Sequence, residues 1–379
     1  MTGPASTNHS IPPSEEHRMT PRPPFRADHV GSLLRPPELR AKAKAGQLSA
    51  AELRAAEDRA IRAVVAKQEA IGLEGITDGE YRRDTWHLDF VKQLDGVTLK
   101  PVSSGLTFQA EDVPPMATVT GRLGCPRPIM TDHFAFLKSV AKKTPKFCIP
   151  APSTLHFRGG RNAISREAYP DMDEFWADAA AAWRAAIGHL AAAGCTYLQL
   201  DDVSFSYLCD EKVLDNYRAH GDDPAALPRA YAGAIDGALA GKPPGMTVTM
   251  HTCRGNFRST WFASGGYQDR VIEAMFSTGV DAYFMEYDSA RAGGFEPLRL
   301  LPKGKKVVLG LVTTKTGALE EKDELKRRIE AAAKFVPLEN LCLSPQCGFA
   351  STHHGNALAI DEQWRKLERV VEVAREVWK

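Results

Sequence analysis

No stretch of this 379-residue chain is apolar for long enough to cross a membrane, because charge interrupts every hydrophobic run well before about 18 residues. The N-terminal segment MTGPASTNHSIPPSEEHRM is polar and rich in proline, without the apolar core of a signal peptide. Charge of one sign is missing too. Lys and Arg total 48 against 47 Asp and Glu, a net charge of +1, and no basic run stands out. That balance argues against a nucleic-acid partner. The seven cysteines are odd in number and scattered, which is no disulfide framework. These absences imply a reducing, cytoplasmic setting with no membrane or nucleic-acid partner, where free thiolates are available to a metal.

What is there is an ordinary globular composition, 43% apolar and 25% charged, with enough apolar residues for a sizeable core. Residues 1–24 are rich in Pro, Ser, Thr and charge without periodicity and read as a flexible tail. From residue 25 to 379, short apolar strands alternate with longer amphipathic helices. The predicted strands cover 26–32, 74–80, 146–153, 196–202, 247–253, 281–288, 306–314 and 340–348. Helical periodicity covers 49–71, 171–194, 224–239, 267–278, 318–336 and 360–378. Eight strands with intervening helices predict an α/β fold, a single (β/α)8 TIM barrel. The segment 114–128, PPMATVTGRLGCPRP, breaks the alternation and reads as a hairpin or loop excursion.

The predicted strands share a habit. Each begins apolar and ends polar or reactive: Ser32, Glu80, Asp201 with Asp202, His251 with Cys253, Glu286 with Asp288, Thr313 with Thr314, and Cys347. Barrel active sites are assembled from the C-terminal ends of several strands, so chemistry is expected there. The plainer reading is that polar residues mark where each strand leaves the core.

His251 and Cys253 lie two apart on one strand, so both side chains point to one face. They read either as a half-buried core pair or as two ligands of a metal. With Glu286 and Cys347 they supply one imidazole, two thiolates and a carboxylate, a set that tetrahedral Zn²⁺ accepts.

H-x-C at the fifth strand, a lone Glu at the sixth and Cys-Gly at the eighth resemble the zinc set of cobalamin-independent methionine synthase. The resemblance runs over nearly the whole chain after residue 25 and maps onto that enzyme's C-terminal catalytic barrel. HVGSLLRP resembles the family's first-strand Ile-Gly-Ser segment and points to Val30, Gly31 and Ser32 as holders of an amino-acid substrate. TDGEYRRD resembles its His-Gly-Glu segment, and LQLDD its Gln-Ile-Asp-Glu. These imply Glu80 and Asp201 as partners of the substrate ammonium. The resemblance implies one Zn²⁺ at His251, Cys253, Glu286 and Cys347, with Glu286 the ligand that retreats. It also implies a thiol substrate, favouring homocysteine, that is methylated to methionine.

Several positions depart from the family. The full-length synthase has a second, N-terminal barrel that helps grip folate, and 379 residues leave no room for it. The family's folate-contacting Glu falls on Tyr207, its folate-stacking Trp near His156 and Phe157, and its proton-donating His on Lys315. A lysine, with an unperturbed pKa of about 10.4, is a poorer acid near neutrality. The methyl donor therefore stays open between methyl-folate, methylcobalamin and a corrinoid protein as partner. Alternatives are thiol transfer to another electrophile, such as epoxide opening by a thiol like coenzyme M, and a zinc-binding homologue without turnover. A metal-free decarboxylase of the uroporphyrinogen type would not need the thiolates.

Among other residues, Arg82 and Arg83 read either as a grip for a carboxylate or phosphate or, more simply, as a solvated helix start, and His353 with His354 either as ligands of a second metal or, more simply, as loop residues capping the next helix. His87 reads either as a pocket residue or as a packing one. Cys195 and Cys342 sit in apolar surroundings and read as small core residues.

Overall fold

The computed structural model describes residues 22–39, 46–102 and 113–379. The predicted N-terminal tail lies, as far as residue 21, outside the described residues. Among the described residues, seven parallel strands form one curled sheet: β1 (Gly75–Ile76), β4 (Thr144–Pro150), β5 (Tyr197–Asp202), β6 (Thr247–Thr252), β7 (Ala282–Glu286), β8 (Lys306–Val312) and β9 (Leu341–Pro345), paired in that order. Helices follow them as a TIM barrel requires. The principal ones are α1 (Ala50–Ile71), α4 (Met172–Ala192), α7 (Leu227–Leu239), α8 (Asp269–Ser277), α9 (Lys322–Ala333) and α10 (Ile360–Val377). No described helix is long and apolar enough to cross a membrane.

The first predicted strand, 26–32, is not a ladder strand. It makes one parallel bridge, Ala27 to Leu343, with Asp28 N donating to Leu343 O at 3.0 Å. On its other side Leu33 N donates to Gly79 O, and the Thr77 hydroxyl donates to Gly31 O at 2.7 Å. This segment closes the barrel between β9 and β1 largely through side chains. The physical reason is that polar groups compete for its backbone. The Asp28 carboxylate accepts the backbone N–H groups of Phe25 and His29, the Tyr197 hydroxyl and the Lys146 ammonium. Gly31 then turns at φ +139°, where a side chain would strain the backbone.

The barrel strands are buried on both faces, as parallel strands under helices are. Alternate residues go to different layers. Leu198, Leu200, Tyr283 and Met285 join the main core with the helices. Val30, Phe284, Val308 and Cys342 form a separate small cluster, which we assign to the barrel interior. Gln199, Asp201, His251 and Glu286 share that inward parity, and the register sets Asp201 opposite His251 and His251 opposite Phe284. The polar strand ends therefore face one another across the rim.

Helix α4 shows how the outer layer is fixed. The Asp171 carboxylate caps it by accepting Asp173 N at 2.9 Å. Phe175, Ala179, Trp183 and Ile187, four apart, make its buried face. The Trp183 indole also donates to Pro150 O at 2.6 Å, tying the helix to the end of β4. Removing that side chain should cost about 3–5 kcal/mol.

The irregular 114–128 segment is the second half of a hairpin, β2 (Asp95–Lys100) against β3 (Met116–Gly124), inserted between β1 and β4. After it comes a helix absent from the sequence reading, α3 (Thr131–Val140). Its buried face is only Phe134 and Leu137, too sparse a pattern to stand out. The short helices α2 (Leu88–Val91), α5 (Ser204–Tyr207) and α6 (Glu211–Ala219) were equally unforeseen.

Candidate metal centre and substrate pocket

Strand β6 ends by delivering His251 and Cys253, and the turn after β9 delivers Cys347. The Cys253 and Cys347 sulfurs are 3.4 Å apart. One ligand atom from each of His251, Cys253 and Cys347 lies within 4.8 Å of the others, all three residues buried. Close approach is built into the backbone. A side chain at Gly348 would collide with the Ser32 hydroxyl, so the chain after Cys347 passes tight against the first barrel segment. The Cys253 thiol donates to Cys347, which pushes Cys253 up and, with help from His251, holds Cys347 well below the usual thiol range.

Glu286 stands outside that group of three. Its carboxylate accepts the Arg254 backbone N–H at 2.8 Å and pairs with Arg291 and with Lys315, the latter at 3.4 Å. Burial would raise its pKa, but Lys315, Arg291 and Arg254 outweigh burial and hold it at about 2. Lys315 in turn pairs with Asp288 at 3.1 Å. Burial opposes its charge, yet Glu286 and Asp288 raise its pKa above the ordinary lysine value. Lys315 does not line the cavity below.

A second group sits beside the first. Ligand atoms of Glu80, Cys148 and Asp201 lie within 4.8 Å of one another. Glu80 occupies the turn after β1 with φ +60°, a strained conformation for a non-glycine residue that is often found at functional sites. Burial raises the Glu80 carboxyl to about 7; Arg83 opposes this, while Asp201 and Asp78 reinforce it. Burial also raises Asp201 to about 6, against the pull of His251 and of the Gln199 amide, which donates at 2.6 Å. Two buried carboxylates facing one space are costly unless a cation joins them.

All three residues of the first group, and Glu80 and Asp201 of the second, line one cavity. Of the residues predicted from sequence, Val30, Ser32, Glu80, Asp201, Tyr207, His251, Cys253 and Cys347 line it. Gly31, Glu286 and Lys315 do not. Gly31 has its own role, since a Cβ there would press on the Cys148 sulfur at 2.7 Å and approach Glu80.

The lining also includes residues that sequence reasoning missed, among them Trp86, Arg158, Asn256 and Phe257, together with His87, whose role was left open. Arg82 and Arg83 correct an expectation: Arg83 is buried, and the Arg82 side chain is covered although the residue is only partly buried. Arg82 pairs with Asp58 and lies over the Phe136 ring, while Arg83 donates to Cys148 O at 2.6 Å beneath Glu80. Of the motif residues alone, the run of charge after Glu80 gave no sign of that burial. Cys195 and Cys342 are buried core residues as expected, and Cys148, passed over, is a neighbour of both Glu80 and Asp201. His353 and His354 lie side by side, with the Thr352 hydroxyl 3.1 Å from the His354 ring, and join neither metal-capable group among the described residues.

The sequence profile of "Cobalamin-independent synthase, Catalytic domain" matches residues 32–376. The chain belongs to this family. Within the cobalamin-independent synthase family, the uncharacterized protein YxjH of Bacillus subtilis is 46% identical over 363 residues, 94% of this chain and 95% of that protein. A crystal structure from Listeria monocytogenes, provisionally described as a vitamin-B12-independent methionine synthase, is 37% identical. It superposes with a TM-score of 0.74 over 94% of this chain and 98% of its own. The 5-methyltetrahydropteroyltriglutamate–homocysteine methyltransferase of Synechococcus sp. is 24% identical over 87% of this chain, but only 41% of that protein is matched.

The side chains fit the zinc that this methionine-synthase-like family implies. Two sulfurs bound to one tetrahedral Zn²⁺ at about 2.3 Å would sit ~3.8 Å apart, close to the spacing found. Both His251 ring nitrogens are buried without a hydrogen-bond partner among the described residues, as an imidazole awaiting a metal would be.

Proposed function

We propose that the protein is a zinc-dependent thiol S-methyltransferase whose favoured acceptor is homocysteine, giving methionine. The observation that carries this reading is the meeting, in one cavity, of a His-Cys-Cys group with a buried carboxylate pair. His251, Cys253 and Cys347 would hold the ion. Glu286 is ionised but shared among cations, which suits a fourth ligand that gives way easily. Zinc, when bound, supplies the positive charge that keeps a substrate thiol ionised near neutral pH.

The remaining work falls to the chain itself. Glu80 and Asp201, once ionised, grip the ammonium of an amino-acid thiol. The Ser32 hydroxyl and the backbone at Val30 and Gly31 take its carboxylate end. This places the substrate sulfur beside the two cysteines, and the buried walls keep water away from it. A thiol lacking an ammonium, such as coenzyme M, would leave the carboxylate pair unmatched, which favours the amino-acid reading over epoxide opening. The donor is a methyl-folate, methylcobalamin or a corrinoid protein, and the cytoplasm is the expected compartment.

Metal analysis should find one zinc per chain. Incubation with homocysteine and either 5-methyltetrahydrofolate or methylcobalamin should yield methionine. A metal-free protein, or no methionine from either donor, would sink the reading.

A further inference from the structure

One layer below the Asp201 carboxylate, the barrel interior holds a polar side chain that the proposed function does not use. Gln199 lies in the middle of β5, is 0% exposed and does not line the cavity. It precedes Asp201 by two residues, so both side chains take the same inward face. Its amide nitrogen donates twice, to Asp201 Oδ1 at 2.6 Å and to Val30 O at 2.7 Å.

The two bonds meet different needs. The segment that carries Val30, Gly31 and Ser32 has only the Ala27 bridge as a ladder contact, so its carbonyls depend on side chains. Lys146 donates to His29 O, Thr77 to Gly31 O, and Gln199 with the Cys148 thiol to Val30 O. Asp201 is the reverse case. Among the described residues, Gln199 is the one side chain that hydrogen-bonds its carboxylate.

The amide has a forced direction. Both neighbours present oxygen lone pairs, so the NH2 group faces them. Its Oε1 is turned away and buried without a hydrogen-bond partner among the described residues. Reversing the amide would set oxygen against oxygen twice. A buried oxygen left without a donor is costly, and a methionine would fill much the same space without that cost. Packing therefore does not explain a glutamine here.

Other polar side chains fit less well. Asparagine is one methylene too short to span both acceptors. Glutamate would add a third carboxylate to Glu80 and Asp201. Lysine or arginine would pair with Asp201 and cancel the charge that a substrate ammonium is to meet. The cation already beside the pair, Arg83, stands 3.9 Å from Glu80 and gives a hydrogen bond to Cys148 O. Glutamine holds the Asp201 carboxylate still and leaves it charged.

We propose that Gln199 is a positioning residue that makes the site selective for an amino-acid thiol, by fixing the Asp201 carboxylate against the Val30 to Ser32 segment without neutralising it. The ammonium and the carboxylate of one substrate are then bound at a set separation. The inference rests on the amino-acid-thiol reading above and adds the residue that sets its selectivity.

The test reads binding, which does not depend on the methyl donor. The zinc-loaded full chain is titrated calorimetrically with homocysteine and with 4-mercaptobutyrate, the same thiol acid without its amino group. Wild type should bind homocysteine about 10- to 100-fold more tightly, the worth of hydrogen bonds to a charged group. Gln199→Met should weaken homocysteine about 10-fold and leave 4-mercaptobutyrate within about 2-fold, whereas a general loosening of the barrel would weaken both. Gln199→Met combined with Asp201→Asn should bind homocysteine no worse than Asp201→Asn alone, because the first residue acts through the second. If Gln199→Met does not fold, as judged by zinc content and thermal transition, Gln199→Asn takes its place with the same expectation. Equal losses for the two thiols, no loss for either, or additive losses in the double variant overturn the inference and leave the amino-acid-thiol reading standing. Wild type that binds the two thiols alike, or takes up no zinc, overturns the inference together with that reading.

Discussion

The two ends of the cavity are made of different material. The thiol end is built from strand termini and tight turns of the barrel, with His251, Asp201 and Cys347 fixed by ladder register and close backbone contacts. The other end is built from excursions between strands, with Trp86 and His87 after β1, Phe157 and Arg158 after β4, and Phe262 after β6. The first end concentrates buried charge, and the second concentrates aromatic surface around Arg158. The contrast suggests that the frame holds constant what must be placed to a fraction of an ångström, while loops carry what selects the partner.

The largest effect that could break this division is at the metal centre. Cys253→Ser combined with Cys347→Ser should reduce bound zinc from one per chain to none and methyl transfer to background, measured by elemental analysis and methionine formation. Full activity in that variant would remove the distinction altogether.

Next come the carboxylates. Glu80→Gln or Asp201→Asn should raise the KM for homocysteine about 10- to 100-fold, the worth of a hydrogen bond to a charged group, with little change in the KM for the donor. An equal rise for both substrates would mean that the two ends are not separate.

The pH dependence sharpens the same point. With Glu80 at about 7 and Asp201 at about 6, both ionise only as the pH rises through that range, so homocysteine should bind more tightly at pH 8 than at pH 5.5. Stability runs the other way. A carboxyl whose folded pKa is raised favours the folded state below its unfolded value of about 4.5, and that contribution is lost as the pH climbs through 7. Glu80→Gln should therefore melt a few degrees above wild type at pH 8 while binding substrate worse, which calorimetry can check.

Smaller effects are expected at the aromatic end and around Glu286. Phe157→Leu should raise the donor KM about 3- to 10-fold and leave the homocysteine KM unchanged, as expected for one aromatic contact. Lys315→Met removes a positive charge near the proposed ion and should tighten zinc binding about 10-fold in chelator competition. No change there would separate Glu286 from the metal.

Much of this was legible in advance because it follows from local pattern. The amphipathic helices at 49–71, 171–194 and 360–378 appear within a residue or two of their limits, since each carries a long run of apolar residues at helical spacing. The polar strand ends marked the rim. What was missed is short or nonlocal. Segment 26–32 read as a strand, but side chains take the His29 N–H and the His29, Val30 and Gly31 carbonyls away from a ladder. Arg82 and Arg83 read as solvated because a charge pair alone does not reveal that Asp58, Cys148 and two phenyl rings will cover it. Arg158 carried no motif, and nothing local decided between the pocket and packing roles open to His87, which lines the cavity.

By itself, then, the sequence determined the barrel alternation and which residue types stand at the strand ends, because hydrophobic period and turn chemistry act over a few residues. Only the tertiary structure decided which of them meet. It brought His251, Cys253 and Cys347 together and set Glu80 against Asp201. It also tied Glu286 to Arg291 and Lys315, and left His87 facing a cavity. Those outcomes depend on register, closure and burial, which sum contacts between residues far apart in the chain.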